Sequence, residues 1–444
     1  MTLRTRRQRI SSFRLILLSF ILAIIIGTVL LMLPISSKDR VFTPFINSLF
    51  TSTSAVCVTG LIVYDTLSYW SLFGQIVILL LIQIGGLGVI IVFSLISILI
   101  GKKISLFERG AIKDSINAPN VGEAGRLVVF VIRGALIIEG IGILILIPLF
   151  CIDYGVKGIW MGIFHAVSAF CNAGFDIMGV TNNNTTSLMS VSSNIPINIV
   201  MILLIIIGGI GYLTWEDIHK NKFHFNKFRM QTKVILLVSL ILTIVPAVLF
   251  FLFEFSDENI KERILKSIFQ AVTPRTAGFN SADLSEMSEA SLAIIVILML
   301  IGGSPGSTAG GMKTTTIAVV IASIVSLFRK KEDVSLFKLR ISNENLKNAF
   351  VLFILYILLF TFSGVLISRI ENVSIGKSLF ETASAIGTVG LSLGITPLLH
   401  TSSKLILVLL MLFGRVGGLT LIFATFNNNQ KEVSKLPLDR IMVG

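Results

Sequence analysis

Eight apolar runs dominate the chain, near residues 13–34, 72–100, 127–152, 195–215, 231–253, 291–327, 348–370 and 402–426. A hydrocarbon core of about 30 Å needs about 20 apolar residues in a helix, so each run is long enough to cross. Lipid offers no water to backbone N–H and C=O groups, and helices satisfy them within the segment. The expected fold class is an all-α membrane protein. Composition enters as a check. Only 14% of the 444 residues are charged and mean hydropathy is +0.90, whereas a soluble surface needs about a quarter charged. Disorder, a disulfide scaffold and an ordinary cytosolic enzyme are excluded. Cys57, Cys151 and Cys171 form no CxxC pair and no even disulfide set. His165, His219, His224 and His400 are too scattered for a metal cluster.

Charge placement sets the topology. Segments 1–14, 101–126, 215–233, 328–347 and 427–444 hold 24 of the 37 Lys/Arg and only 10 of the 24 Asp/Glu. The net charge of +13 therefore sits between alternate runs, which points to membrane topology and not to nucleic acid. The positive-inside rule assigns those segments, and both termini, to the cytoplasm. The first apolar run is too long for a signal-peptide core and no small-residue cleavage site follows it, so it reads as a first span. The basic loops 215–233 and 328–347 serve equally as docking surfaces or as topology and lipid-headgroup contacts.

The connections on the other side are not simple loops. Each holds a short amphipathic stretch, then a glycine. Aligned on that glycine, they read Phe50 to Cys57, Val58, Thr59, Gly60 and Leu61; Phe164 to Cys171, Asn172, Ala173, Gly174 and Phe175; Phe269 to Arg275, Thr276, Ala277, Gly278 and Phe279; and Phe380 to Gly387, Thr388, Val389, Gly390 and Leu391. The residue after each phenylalanine is polar: Thr51, His165, Gln270 and Glu381. The glycines are 114, 104 and 112 residues apart, so the chain divides into four pseudo-repeats. Their expected bounds are 1–104, 105–222, 223–335, with a broken inner helix at 301–316, and 336–444 with the C-terminal tail. Each repeat is read as helix, pore helix, filter loop and helix, the four closing around a pseudo-fourfold pore of potassium-channel type. A second glycine cluster follows in each repeat: Gly85-Gly86-Leu87-Gly88, Gly208-Gly209-Ile210-Gly211, Gly302-Gly303-Ser304-Pro305-Gly306 and Gly414-Arg415-Val416-Gly417. In the first two, small residues for tight helix crossing explain it.

Irregular backbone inside a membrane needs partners for its carbonyls, and a desolvated cation in a watery path supplies one. A half-helix entering from outside points its C-terminal, partly negative end at that cation. Thr388-Val389-Gly390-Leu391 is similar to the Thr-Val-Gly-Tyr core of a potassium-channel filter. Ile62, Asp176, Asn280 and Ser392 stand where such a filter has its second glycine, so this filter is expected to be shorter and less regular. Arg275 is the one charged filter position, so binding is by dipoles; this suits K+ at backbone carbonyls near Gly60, Gly174, Gly278 and Gly390, while calcium sites usually need several carboxylates. Re-entrant loops of a secondary transporter are the alternative.

The whole chain resembles the Trk/Ktr/HKT superfamily of potassium-translocating proteins, and within it the membrane subunits of bacterial Ktr systems. The run Phe269-Gln270-Ala271-Val272-Thr273-Pro274-Arg275-Thr276-Ala277-Gly278-Phe279-Asn280, the stretch Gly387 to Leu391 and the broken sixth span carry the resemblance. The N-terminal hairpin of spans that related Trk subunits carry is not expected here. The resemblance implies eight membrane helices with four pore helices, a homodimer in the bacterial cell membrane and a potassium ion as cargo, with dependence on sodium in many systems. It also implies a cytosolic KtrA-like regulatory ring that binds ATP/ADP or NAD(H). No segment of this chain is large enough for such a nucleotide domain.

Gly302, Gly303, Ser304, Pro305, Gly306, Ser307, Thr308, Ala309, Gly310, Gly311, Met312 and Lys313 break the sixth run. Glycine costs a helix about 1 kcal/mol and proline about 3 relative to alanine. The resemblance assigns this stretch as an intramembrane gating loop. It matches GxSxG but lacks a strand-turn-helix and a histidine partner; it approaches a P-loop but has Met312 inserted before Lys313 and no preceding strand. No catalytic set can be assembled. Arg415 lies midway along the last run, where a charge is costly and usually functional. It is expected to face the cavity, hold the loop and oppose cations, with Lys313 adding to the barrier; pinning two helices is the plainer reading. Arg275 is expected behind the filter, paired with Glu381 or Asp283, Glu139 and Arg133 in helix–helix contacts, and His165 inside its pore helix. The functional expectation is a gated potassium pore, with a sodium-coupled symporter of alternating access as the second reading.

Overall fold

A computed structural model of the chain describes residues 11–101, 105–116, 122, 124–179, 187–222 and 224–425; Arg4, Arg6, Arg7, Arg9 and the basic segment 427–444 lie outside the described residues. Four units follow one another, each an outer helix, a pore helix, an extended stretch and an inner helix. The outer helices are Ser12–Met32, Ala124–Tyr154, Met230–Leu249 and Asn343–Glu371. The first and last start on serine caps: Ser11 accepts from the Arg14 amide at 3.3 Å and Ser342 from that of Asn345 at 3.3 Å. Their outward faces stay apolar and exposed, as at Leu18, Leu22, Ile25 and Val29 or Ile354, Leu358, Phe362 and Val365. Contiguous apolar area of this kind needs lipid against it.

The pore helices are Phe45–Val56, Lys157–Phe170, Ile260–Val272 and Ile375–Gly387. At 12 to 14 residues they are too short to span. They form the centre of the molecule. Phe50, Phe164, Phe269 and Phe380 are fully buried, and so are the polar residues that follow them.

The inner helices correct an expectation. The runs 72–100, 195–215 and 402–426 are not straight spans. Leu72–Leu87 turns into the next helix by 93°, Ile195–Ile210 into Tyr212–Asn221 by 95°, and Thr401–Val416 into Gly418–Thr425 by 99°. The hinges are Gly88, Gly211 and Gly417, at φ 96°, 101° and 89°, a conformation in which a side chain would clash. The first glycine of each cluster does something different. A Cβ built on Gly85 would lie 1.9 Å from the Val56 carbonyl oxygen, on Gly208 2.0 Å from that of Phe170, and on Gly414 2.2 Å from that of Ile386. Inner helix and pore-helix terminus therefore touch backbone to backbone, the close crossing expected of small residues. In repeat three the interruption is longer: Glu289–Leu300 stops, residues 301–313 form a loop, and Thr314–Phe328 resumes. Among the described residues the sheet is a single hairpin, Ser335–Leu336 with Leu339–Arg340.

Gly85→Ala tests this packing. The added methyl cannot fit unless the inner helix retreats, and overpacking of this kind costs about 1–3 kcal/mol. The detergent-solubilised variant is expected to unfold several degrees below the wild type, and an unchanged melting temperature would mean that the contact is loose.

Candidate functional site

The four extended stretches share one backbone pattern. The residue two before the glycine has positive φ in each: Val58 57°, Asn172 57°, Thr276 75° and Thr388 51°. The glycine has it too: Gly60 91°, Gly174 68°, Gly278 78° and Gly390 95°. Left-handed residues on either side of an ordinary one cancel the usual alternation of a strand, so successive carbonyls lie on one side. The glycines were legible in the sequence. The left-handed non-glycine residues were not, because valine, asparagine and threonine carry no common mark.

One anchoring position escaped the sequence reading. Thr59, Ala173, Ala277 and Val389 each donate their amide to the carbonyl of a pore-helix hydroxyl residue: Ser54 at 2.7 Å, Ser168 at 2.8 Å, Thr273 at 2.9 Å and Ser384 at 2.8 Å. The alignment on glycine already displays this column, six residues before the glycine and five in repeat three. The hydroxyls then divide. Ser54 and Ser384 accept from the amides of Gly60 and Gly390, both at 3.0 Å. Ser168 donates to the Phe175 carbonyl at 2.7 Å and Thr273 to that of Phe279 at 2.6 Å. Phe175 and Phe279 were expected to contribute to the ring alongside Leu61 and Leu391; their carbonyls are instead turned to their own pore helices. The hydroxyls of Thr59, Thr276 and Thr388 are buried without a partner among the described residues, an arrangement that is costly for a polar group unless something else meets it.

The four glycines meet. A Cβ on Gly60 would lie 2.5 Å from the Ala173 carbonyl oxygen, on Gly174 2.9 Å from that of Ala277, on Gly278 2.2 Å from that of Val389, and on Gly390 2.2 Å from that of Thr59. Each glycine faces the carbonyl before the next repeat's glycine, and the fourth returns to the first. The sequence of contacts is a closed ring of backbone, and it leaves no room for a side chain at any of the four positions.

The loop of repeat three lies against this ring. A Cβ on Gly310 would meet the Thr388 hydroxyl at 2.1 Å, and on Gly311 the Gly387 carbonyl oxygen at 2.9 Å. The loop is tied on several sides: Ser304 N to Gly209 O at 3.0 Å, Thr308 N to Gly208 O at 3.3 Å, Gly311 N to Gly414 O at 3.1 Å, and Tyr212 N to Gly306 O at 2.7 Å. Thr308 is the most connected residue. Its hydroxyl reaches the Phe170 carbonyl at 3.1 Å and the Asn172 side-chain amide at 2.8 Å, a contact that either orientation of the amide keeps. Arg415 donates to the Thr308 carbonyl and, across the axis of its fork, to the carbonyls of Gly85 and Gly86. It makes no ion pair among the described residues. Lys313 folds back on the loop, to Ala309 O at 2.9 Å and Gly310 O at 3.2 Å. Both cations line a cavity of about 190 Å³ whose wall includes Asp114 and Ser115 from segment 101–126. Ser304 faces the Thr314 hydroxyl at 3.3 Å.

Arg275 corrects another expectation. Its partners are the Ser239 carbonyl at 3.2 Å, the Ser239 hydroxyl at 3.0 Å and the Thr243 hydroxyl at 3.2 Å. All belong to the outer helix of repeat three, so the guanidinium points away from the ring and pairs with neither Glu381 nor Asp283. Helix hydroxyls and a carbonyl that also accepts from the Thr243 hydroxyl take the two terminal nitrogens of the fork, while the buried Nε has no partner among the described residues; no sequence spacing announces them. Asp283 caps its own turn at Ser285 N, 2.9 Å away. Glu139 accepts from Gln83 at 2.9 and 3.0 Å, joining the outer helix of repeat two to the inner helix of repeat one, while Arg133 is exposed and takes no part. His165 bonds the Met161 carbonyl at 2.8 Å inside its pore helix.

Comparison with known proteins agrees over nearly the whole length. Residues 5–435 match the TrkH family, described as cation transport protein. The chain is 38% identical over 453 residues to the potassium/sodium uptake protein NtpJ of Enterococcus hirae, covering 99% of this chain and 98% of that protein. It is 38% identical over 424 residues to the Ktr system potassium uptake protein B of Bacillus subtilis, covering 94% and 93%. Among solved structures, the potassium transporter TrkH from Vibrio parahaemolyticus shares the fold with a TM-score of 0.70 at 17% identity, over 96% of this chain and 87% of that one.

Proposed function

From the premise that this chain belongs to the TrkH family of cation transport proteins, we propose that it is the potassium-translocating membrane subunit of a Ktr-type uptake system. Cations descend their electrochemical gradient through a filter built from four unequal backbone segments. Beneath it, the loop 302–311 and Arg415 form the gate. The observation that carries this reading is the closed ring made by Gly60, Gly174, Gly278 and Gly390, with the glycine-rich loop fixed against it. Carbonyl dipoles in such a ring can replace the hydration shell of a large monovalent cation, and the free Thr59, Thr276 and Thr388 hydroxyls add neutral oxygens nearby. The acidic clusters that a divalent site would need are not present among the described residues.

The relatives named for Ktr systems support a separate regulatory subunit; in this reading it is a cytosolic ring that senses nucleotides and acts on the loop. A homodimer, cytoplasmic termini and docking through the basic loops 215–233 and 328–347 belong to the same reading. NtpJ, named for potassium and sodium, supports a second one, in which sodium is carried with potassium.

Expression in a bacterium that lacks its own potassium uptake systems separates the two. Growth at low potassium, and potassium-selective rubidium uptake that follows the membrane potential without a fixed number of sodium ions per cycle, is the expected result. A constant sodium-to-potassium ratio at all potentials would replace the pore by a symporter, and absence of cation uptake with any regulatory subunit would end both.

A further inference from the structure

The position after each alignment phenylalanine is polar, but the four side chains do different things. Thr51 bonds back to the Asn47 carbonyl of its own helix at 2.9 Å. His165 does the same to Met161. Gln270 reaches only the Met287 sulfur, at 3.7 Å, and its oxygen has no partner. Glu381 leaves its helix and holds the chain beyond the glycine by three hydrogen bonds from oxygen and nitrogen donors, where Gln270 has only the sulfur contact. Its carboxylate accepts from the Ser392 hydroxyl at 2.5 Å and the Leu393 amide at 3.2 Å on one oxygen, and from the Thr396 hydroxyl at 2.7 Å on the other. Ser392 in turn accepts from the Gly394 amide at 2.9 Å, and Ser392 and Thr396 lie 3.1 Å apart.

We propose that Glu381 is the positioning residue of the fourth filter segment: a buried carboxylate that fixes the exit strand after Gly390 and so sets how well this repeat discriminates between potassium and sodium. The proposal rests on the reading of Gly387 to Leu391 as filter. Three donors converge on one side chain that is wholly buried, and a carboxylate is acceptor-only, so each of them is held. Repeats two and three fix the same level differently, by the Ser168 and Thr273 hydroxyls on the carbonyls of Phe175 and Phe279. In repeat four the pore-helix hydroxyl, Ser384, is already engaged with the Gly390 amide. Glu381 instead holds the residues just beyond Leu391, gathering Ser392, Leu393 and Thr396 on one group. Glu381 does not touch the ion path itself; it acts through the strand.

The test is cation selectivity of uptake, measured as competition of sodium against rubidium in the full-length protein with its regulatory subunit. Glu381→Ala is expected to lower potassium-over-sodium discrimination about tenfold, the worth of one hydrogen bond to a charged group, without raising flux in the closed state. Glu381→Gln presents one acceptor oxygen to Ser392 and Leu393 and an amide to Thr396, and is expected to remain within about twofold of wild type for that reason. Thr396→Val and Ser392→Ala, which leave the carboxylate in place, are expected to reproduce part of the loss and to add nothing to Glu381→Ala. They also carry the test if Glu381→Ala does not fold. Undiminished discrimination in both Glu381→Ala and Thr396→Val overturns the proposal, and a Gln variant as impaired as Ala replaces positioning by charge and overturns it too. Gly390→Ser, run alongside, separates the levels: if it loses discrimination and the Glu381 set does not, this proposal alone fails; if neither does, the filter reading fails with it.

Discussion

Gly390→Ser is expected to cut potassium-over-sodium discrimination about a hundredfold, the scale on which a misplacement of about 1 Å is felt in a pre-organised site. The reason is local and steric. Gly390 sits at φ 95°, where any side chain strains the backbone. A Cβ there would lie 2.2 Å from the Thr59 oxygen and 2.9 Å from the Gly60 Cα. The fourth strand or the first must give way, and the carbonyls on both sides of the contact lose their spacing. Gly60→Ser meets the Ala173 oxygen at 2.5 Å and is expected to behave alike. Sodium and rubidium uptake measured side by side decides the matter: discrimination that survives at both positions removes the ring as the selective element.

Arg415→Ala is expected to raise potassium flux in the absence of the regulatory subunit by at least about tenfold, since each hydrogen bond from a charged donor is worth about 1.5–3 kcal/mol. Three are lost at once, to Thr308, Gly85 and Gly86, and a fixed positive charge is removed from beside the proposed cation path. Arg415→Lys separates these causes. An ammonium keeps the charge but cannot spread a planar fork over carbonyls from two repeats, so a flux between wild type and alanine is expected. Uptake without the partner that is the same in all three would reduce Arg415 to a strut between inner helices. The Asn172 side chain makes a further demand on this picture. It joins the extended stretch of repeat two directly to Thr308, so the loop that Arg415 holds also steadies repeat two.

Much of the molecule was legible from residue order because a bilayer leaves few solutions. Apolar runs and four evenly spaced glycines required spans and a repeated re-entrant unit. The alignment phenylalanines marked buried pore helices, and Arg415 stood out because charge is rare at that depth. The hydroxyl column of Ser54, Ser168, Thr273 and Ser384 was present in the same alignment and needed only to be noticed.

Other features depend on what lies across a contact, and residue order does not carry that. Gly88, Gly211 and Gly417 look like packing glycines, yet they bend their helices through roughly a right angle, because the backbone there leaves the helical region while Gly85, Gly208 and Gly414 supply the close crossing. The sequence points Arg275 to a carboxylate, but two hydroxyls and a carbonyl of a neighbouring helix take its terminal nitrogens, since a guanidinium requires acceptors and not necessarily an anion. Glu381 was one polar residue in a column of four until the fold brought Ser392, Leu393 and Thr396 to it. The sequence by itself determined membrane insertion, fourfold repetition and the glycines of the ring, because lipid and steric exclusion act on each segment alone. Only the tertiary structure decided which carbonyls face the axis, which are claimed by hydroxyls and what Arg415 grips, because a hydrogen bond has a direction and a partner, and both are fixed only when the four repeats close on one another.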